Sequence, residues 1–146
     1  MAMIREAHST WSGALATGHG TVGVASGVFD GLETSWRART EAAEGKTSPE
    51  ELLAAAHASC FAMASSNELA KAGFPVDRSE VSVKVTGDRR EAGWTVISSE
   101  ITLHAWVPNV DEETFQATVN LAKLGCPISR AIKDNVEITL SATLER

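Results

Sequence analysis

Hydrophobic and polar positions change period several times along this chain. The clearest stretch lies near the end, where Val136, Ile138, Leu140, Ala142 and Leu144 alternate with Glu137, Thr139, Ser141, Thr143 and Glu145. That period of two predicts a strand with one face covered and one wet. Val81, Val83 and Val85 alternate with Ser82, Lys84 and Thr86 in the same way. Ile97, Ile101, Leu103, Ala105 and Val107 share one face of a long strand that begins near Trp94, after a turn at residues 90–93. Between these strands and the last one the period becomes helical. Asp111-Glu112-Glu113 opens an amphipathic helix through Phe115, Val119, Leu121 and Leu124 that ends at Gly125, and Cys126-Pro127 starts a short helix reaching about Lys133.

The first forty residues read as antiparallel strands over 7–15 and 21–28, separated by Gly18-His19-Gly20. Residues 35–40 predict a third strand, with Trp36, Ala38 and Thr40 on one face and Arg37 and Arg39 on the other. The best-marked start in the chain follows a polar loop. Ser48-Pro49-Glu50-Glu51 offers an N-cap serine, proline at the first helical position and two acids suited to the positive end of the helix dipole. The helix runs to about Lys71 and stops at Gly73, with Pro75 beyond. Its alanine-rich body is apolar on nearly all sides, which predicts a buried spine. The order βββ-α-ββ-αα-β argues an α+β fold in which an antiparallel-rich sheet covers a buried central helix. No linker, repeat or low-complexity tract divides residues 1–146, so a single domain is expected.

Charge and composition narrow the class. A net charge of −6, from 13 basic and 19 acidic residues, disfavours a nucleic-acid-binding surface. The N-terminal residues lack the apolar stretch of a signal peptide. The longest apolar run surrounds Cys60 and covers roughly 13 residues, short of the roughly 18 to 20 needed to span a bilayer. A cytoplasmic protein without membrane attachment is therefore expected. In a reducing compartment any bond between its 2 cysteines is transient and functional.

Those cysteines are the first candidates for chemistry. Cys60 lies in the apolar run, and Cys126 precedes Pro127 at a helix start, where free backbone N–H groups lower a thiol pKa. A reactive thiol also needs a cation. Arg39 presents a rigid fork of donors, and Arg37 competes for the role from the same predicted face. Glu50 is placed to orient that arginine or simply to serve the helix N-terminus. Ten residues of helix separate Glu50 and Cys60 by roughly 15 Å, so the arginine must bridge them, the helix must break, or one residue must come from a partner chain. His57 lies one turn before Cys60, either as its partner or as a packed core histidine. His8, His19, His57 and His104 show no metal-ligand spacing with the cysteines. A Gly-rich phosphate loop, a Cys-x-x-Cys pair and a Gly-x-Ser-x-Gly elbow are all absent.

These segments together resemble the OsmC/Ohr family of thiol peroxidases, in its OsmC branch. The carrying residues run from Thr47-Ser48-Pro49-Glu50-Glu51 through Ala56-His57-Ala58-Ser59-Cys60-Phe61 to Met63-Ala64, with Gly125-Cys126-Pro127-Ile128-Ser129 downstream. Gly20-Thr21-Val22, Ser26-Gly27 and residues 136–140 fit as well. Histidine three positions before the cysteine looks like OsmC, since Ohr proteins carry an aromatic residue there. The resemblance implies an intertwined homodimer with two active sites at the subunit interface. It implies that Cys60 is the peroxidatic cysteine, Cys126 the resolving one, and Arg39 and Glu50 the supporting pair, with Arg39 favoured over Arg37. It further implies a cysteine-based antioxidant peroxidase that reduces organic hydroperoxides better than hydrogen peroxide, passes through a Cys60–Cys126 disulfide and is recycled by an external dithiol. No metal, haem, flavin or other cofactor is implied. Leu53, Phe61, Met63 and the alanines suit the alkyl tail of the substrate. The rival readings are another thiol chemistry at Cys60, such as disulfide exchange or thioester hydrolysis, a non-catalytic redox sensor or apolar-ligand-binding protein using the same pocket, and a structural dimer with inert core thiols.

Overall fold

The computed structural model describes residues 1–146. Its elements, in chain order, are β1 (Ala7–Ser12), β2 (His19–Val24), β3 (Leu32–Thr34), α1 (Trp36–Thr40), α2 (Pro49–Lys71), β4 (Arg78–Arg90), β5 (Gly93–Trp106), α3 (Glu112–Gly125), α4 (Pro127–Ile132) and β6 (Glu137–Glu145). The architecture is mixed α+β. It has two three-stranded sheets where the sequence predicts one, and the chain divides into two compact units, Met1–Leu52 and Leu53–Arg146. No helix is long and apolar enough to cross a membrane.

In the first unit β1, β2 and β3 pair antiparallel in that order. The predicted turn lies earlier than Gly18-His19-Gly20, because His19 and Gly20 already belong to β2. Trp11 stands opposite Gly20 in the register. A Cβ built on Gly20 would lie 2.8 Å from the Trp11 ring and 2.5 Å from the Thr10 carbonyl, so glycine is required for that close approach. The third strand is Leu32–Thr34, and residues 35–40, predicted extended, form helix α1 instead. Ser35 decides this. Its hydroxyl accepts the Ala38 N–H at 3.1 Å, which is N-cap geometry, and five alternating residues are too few for period alone to choose a strand.

At the start of α2 the Ser48 hydroxyl accepts the Glu51 N–H at 3.2 Å, as the sequence predicts. Glu51 does not close a reciprocal capping box but accepts the Thr47 hydroxyl at 2.7 Å. From Leu53 onward the helix belongs to the second unit. Its buried stripe is His57, Phe61, Ser65 and Leu69, one residue per turn, whereas Met63 is 66% exposed. The expectation of a helix buried on nearly all sides therefore does not hold within this chain. At its C-terminus the Phe74 N–H bonds the Leu69 carbonyl at 2.9 Å and the Gly73 N–H bonds that of Ala70 at 3.0 Å. Gly73, with φ +92, turns the chain out of the helix in this Schellman arrangement, and Phe74 folds back onto the core beside Leu69.

In the second unit β4 and β5 form a long antiparallel hairpin, shifted in register at Thr86/Gly87. Strand β6 then pairs with β5 in parallel, because α3 and α4 carry the chain back to the starting end of β5. The alternation read from sequence sets the faces. Ile101, Leu103 and Ala105 of β5 and Leu144 of β6 enter the core with Phe61, Leu69, Phe115, Val119 and Ala122. In α3 the inward residues are Phe115, Thr118, Val119 and Ala122. Leu121 and Leu124, expected on that face, are 58% and 68% exposed. Both lie on the far side of the helical wheel from the Phe115–Val119–Ala122 stripe.

Candidate active site

Cys60 and Cys126, distant in sequence, meet in the second unit. Both are free thiols. Cys60 is half-buried on α2 and Cys126 is fully buried at the start of α4. The apolar spacing of α2 turns Cys60 towards the core edge one turn after His57. Pro127 ends α3 and starts α4, leaving Cys126 between the two helices with its N–H on the Ala122 carbonyl at 2.8 Å. Burial pushes the Cys60 thiol above its ordinary pKa of 9.0. The Ile128 N–H, donated to the Cys60 sulfur from the first turn of α4, pulls it back down, and the hydrogen bond and charge repulsion between the two sulfurs push it up again. The helix-start N–H read from sequence as serving Cys126 is thus directed at Cys60.

His57 does not pair with Cys60. Its Nδ1 lies 2.7 Å from the Ser99 hydroxyl of β5, and its Nε2 lies 2.7 Å from the Ser129 hydroxyl of α4. Both ring nitrogens are thereby used, and burial pushes the imidazole below its ordinary pKa. Of the expected lining residues, Phe61 is a fully buried core side chain, and Met63 points away from the core.

In the first unit Arg39 and Glu50 form a forked ion pair. Arg39 Nε donates to both Glu50 oxygens at 3.0 and 3.1 Å, and an outer nitrogen donates to Oε1 at 2.7 Å. The guanidinium carbon also stands 5.8 Å from the centre of the Trp36 ring. Arg37 points elsewhere, to Glu41 at 3.1 Å and Glu44 at 3.4 Å. Beside Arg39 is a cavity of about 510 Å³ lined by Trp11, Leu15, Val22, Trp36, Pro49 and Leu52. No cluster of three or more His, Cys, Asp or Glu side chains is arranged to hold a metal ion.

Sequence reasoning misses Ile128, Ser99 and Ser129. A backbone N–H carries no sequence signature. A histidine among alanines does signal a need for polar partners, but the pattern does not say which serines supply them.

The fold is that of the OsmC and organic hydroperoxide resistance proteins. The crystal structure of OhrB from Bacillus subtilis superimposes with a TM-score of 0.70 at 30% identity, over 94% of this chain and 98% of that one. The family model described as OsmC-like protein matches residues 41–141, and the chain belongs to that family. Peroxiredoxin OsmC of Escherichia coli (strain K12) is 36% identical over 145 residues, covering 99% of each chain. The organic hydroperoxide resistance protein OhrB of B. subtilis (strain 168) is 31% identical over 115 residues, covering 78% of this chain and 82% of its own.

Proposed function

We infer that this chain is a cysteine-based peroxidase that reduces organic hydroperoxides to alcohols. The observation that carries the reading is the contact between a half-exposed Cys60 thiol and a fully buried Cys126 thiol, with the Ile128 N–H directed at the first. The names of the relatives, peroxiredoxin and hydroperoxide resistance protein, support the same redox role. The Cys60 thiolate attacks the distal peroxide oxygen and the O–O bond breaks. The sulfur is oxidised to sulfenic acid, and the alkoxide takes a proton to leave as alcohol. The Cys126 thiol then attacks the sulfenic sulfur, forming a disulfide and releasing water. An external dithiol reduces that disulfide, becoming a disulfide itself and returning both protein thiols.

Burial of Cys60 opposes its ionisation, so turnover near neutral pH calls for a positive charge at the sulfur. The family resemblance gives that role to Arg39, and the fork that Glu50 fixes supports it. The apolar cavity beside Arg39 suits a carbon chain, which favours organic peroxides over hydrogen peroxide. A homodimer is part of the reading. Met63, Leu121 and Leu124 are exposed apolar side chains in the second unit, and a second copy would cover them.

The test is dithiol-dependent consumption of an organic hydroperoxide by the wild type, Cys60→Ser and Cys126→Ser, run beside hydrogen peroxide with mass spectrometry of the thiols. Loss of turnover in Cys60→Ser, with a Cys60 sulfenic acid trapped in Cys126→Ser, is the expected result. Equal and negligible consumption by all three proteins sinks the reading. The upward push on Cys60 then favours a slow redox sensor or an apolar-ligand-binding protein.

A further inference from the structure

The chemistry above leaves one fully buried titratable side chain unused. His57 sits one turn before Cys60 on α2, and both of its ring nitrogens are held at 2.7 Å by serine hydroxyls that are themselves 0% and 3% exposed. A neutral imidazole has one donor and one acceptor. One serine therefore accepts from the ring while the other donates to it, and Ser99, His57 and Ser129 form a closed directional chain from β5 through α2 to α4.

Helix α4 needs such an anchor. It has six residues, far below the length at which a helix holds its own shape, and its N-cap, Cys126, makes no side-chain capping bond. Its first turn nevertheless carries both groups that meet Cys60, namely the Cys126 sulfur and the Ile128 N–H. Ser129 is the next residue along that turn. Two ties thus run side by side between α2 and α4. His57 bonds the Ser129 hydroxyl, and Cys60, one turn on, meets Ile128 and Cys126. An N–H···S contact is weak and depends on angle, so a small rotation of α4 would weaken it.

We propose that His57 is a positioning residue for the thiol pair: locked to β5 through Ser99, it holds the first turn of α4 through Ser129 so that the Ile128 N–H and the Cys126 sulfur meet Cys60. The role rests on Cys60 and Cys126 being the redox pair of the proposed function. It requires no hydroperoxide turnover, which keeps the two separately testable.

The variants are Ser129→Ala, Ser99→Ala and Ser129→Thr, with Leu69→Val as a core substitution on the same helix that lowers stability without touching the chain of hydroxyls. Two readouts are taken on the full-length protein. One is the pH dependence of Cys60 alkylation by iodoacetamide, in a Cys126→Ser background. The other is the rate of Cys60–Cys126 disulfide closure driven by diamide, a thiol oxidant that bypasses any peroxide step. Ser129→Ala is expected to move the alkylation midpoint upward by about half a pH unit and to slow closure about tenfold. Ser129→Thr keeps the hydroxyl and restores both, Ser99→Ala moves both in the same direction by less, and Leu69→Val leaves both at wild type.

Wild-type values in folded Ser129→Ala overturn the proposal, and so do equal changes in Ser129→Ala and Leu69→Val. If Ser129→Ala fails to fold, Ser99→Ala decides by the same two measurements. A chain that consumes no hydroperoxide but closes its disulfide slowly in Ser129→Ala keeps the positioning role and loses the peroxidase reading.

Discussion

On a short helix, side chains two positions apart leave the axis about 200° from one another. Arg37 and Arg39 of α1 consequently find different partners, Arg37 in Glu41 and Glu44, Arg39 in Glu50. Read as a strand, the same residues would share a face and compete, so the choice between them is not legible until the local conformation is known. Arg39→Lys loses the forked geometry and is expected to lower kcat/KM for an organic hydroperoxide about a hundredfold, while Arg37→Lys stays within about twofold, measured by steady-state peroxide consumption. His57 is the other residue whose environment decides its role. Truncation by His57→Ala strips the Ser99 and Ser129 hydroxyls of their partner in a dry site. The expected loss is about 2 to 4 kcal/mol of stability, read as a lower urea midpoint at unchanged slope. An unchanged midpoint would mean that water enters and replaces the ring.

The elements with strong end signals lie where the sequence places them. Ser48 caps α2, Asp111 caps α3 by accepting the Thr114 N–H at 2.8 Å, Pro127 opens α4 and Gly73 closes α2. Caps and glycine stops act within a few residues, so local sequence contains all of their physics. Gly73 offers a clean measurement. A Cβ there would meet no atom within 4 Å, yet φ is +92. Gly73→Ala should therefore cost about 1 kcal/mol through backbone strain alone, seen in the urea midpoint with activity intact. Helix α1 is the counterexample at this scale. Its five residues alternate well enough to mimic a strand, and the Ser35 cap outweighs the alternation. The faces of α2 and α3 were partly legible: the stripe through Phe115, Val119 and Ala122 follows the helical period. Leu121 and Leu124 are apolar yet turned outward, and period alone does not say what covers them.

For the molecule as a whole, acid is expected to destabilise in two windows. Burial holds the His57 imidazole below its ordinary pKa of 6.5, so on acidification the unfolded chain takes up that proton first. Stability from this source is complete above about pH 6.5 and falls below it. Urea midpoints measured between about pH 7.5 and pH 5.5 should show the decline in the wild type and a shallower one in His57→Ala. Asp111 acts lower. Its carboxylate, bonded by the Thr114 N–H and hydroxyl, is held below its ordinary value of 3.8, and the stability it lends α3 is lost as pH falls below that value. Oligomeric state belongs to this scale too. Sedimentation of the wild type should give twice the 15.5 kDa chain mass, and Met63→Glu, which puts a charge on an exposed apolar position of α2, should shift it towards the monomer.

The amino-acid sequence by itself determined the element order from α2 onward and the inward face of each long strand. Both follow from short-range rules of period and capping. Only the tertiary structure decided that β6 lies parallel to β5 and that two small sheets form rather than one. It also decided that Ile128 turns its N–H to Cys60 and that two serines from distant elements hold His57. Those outcomes depend on which segments meet in space, and pairing across many residues leaves no periodic mark on the chain.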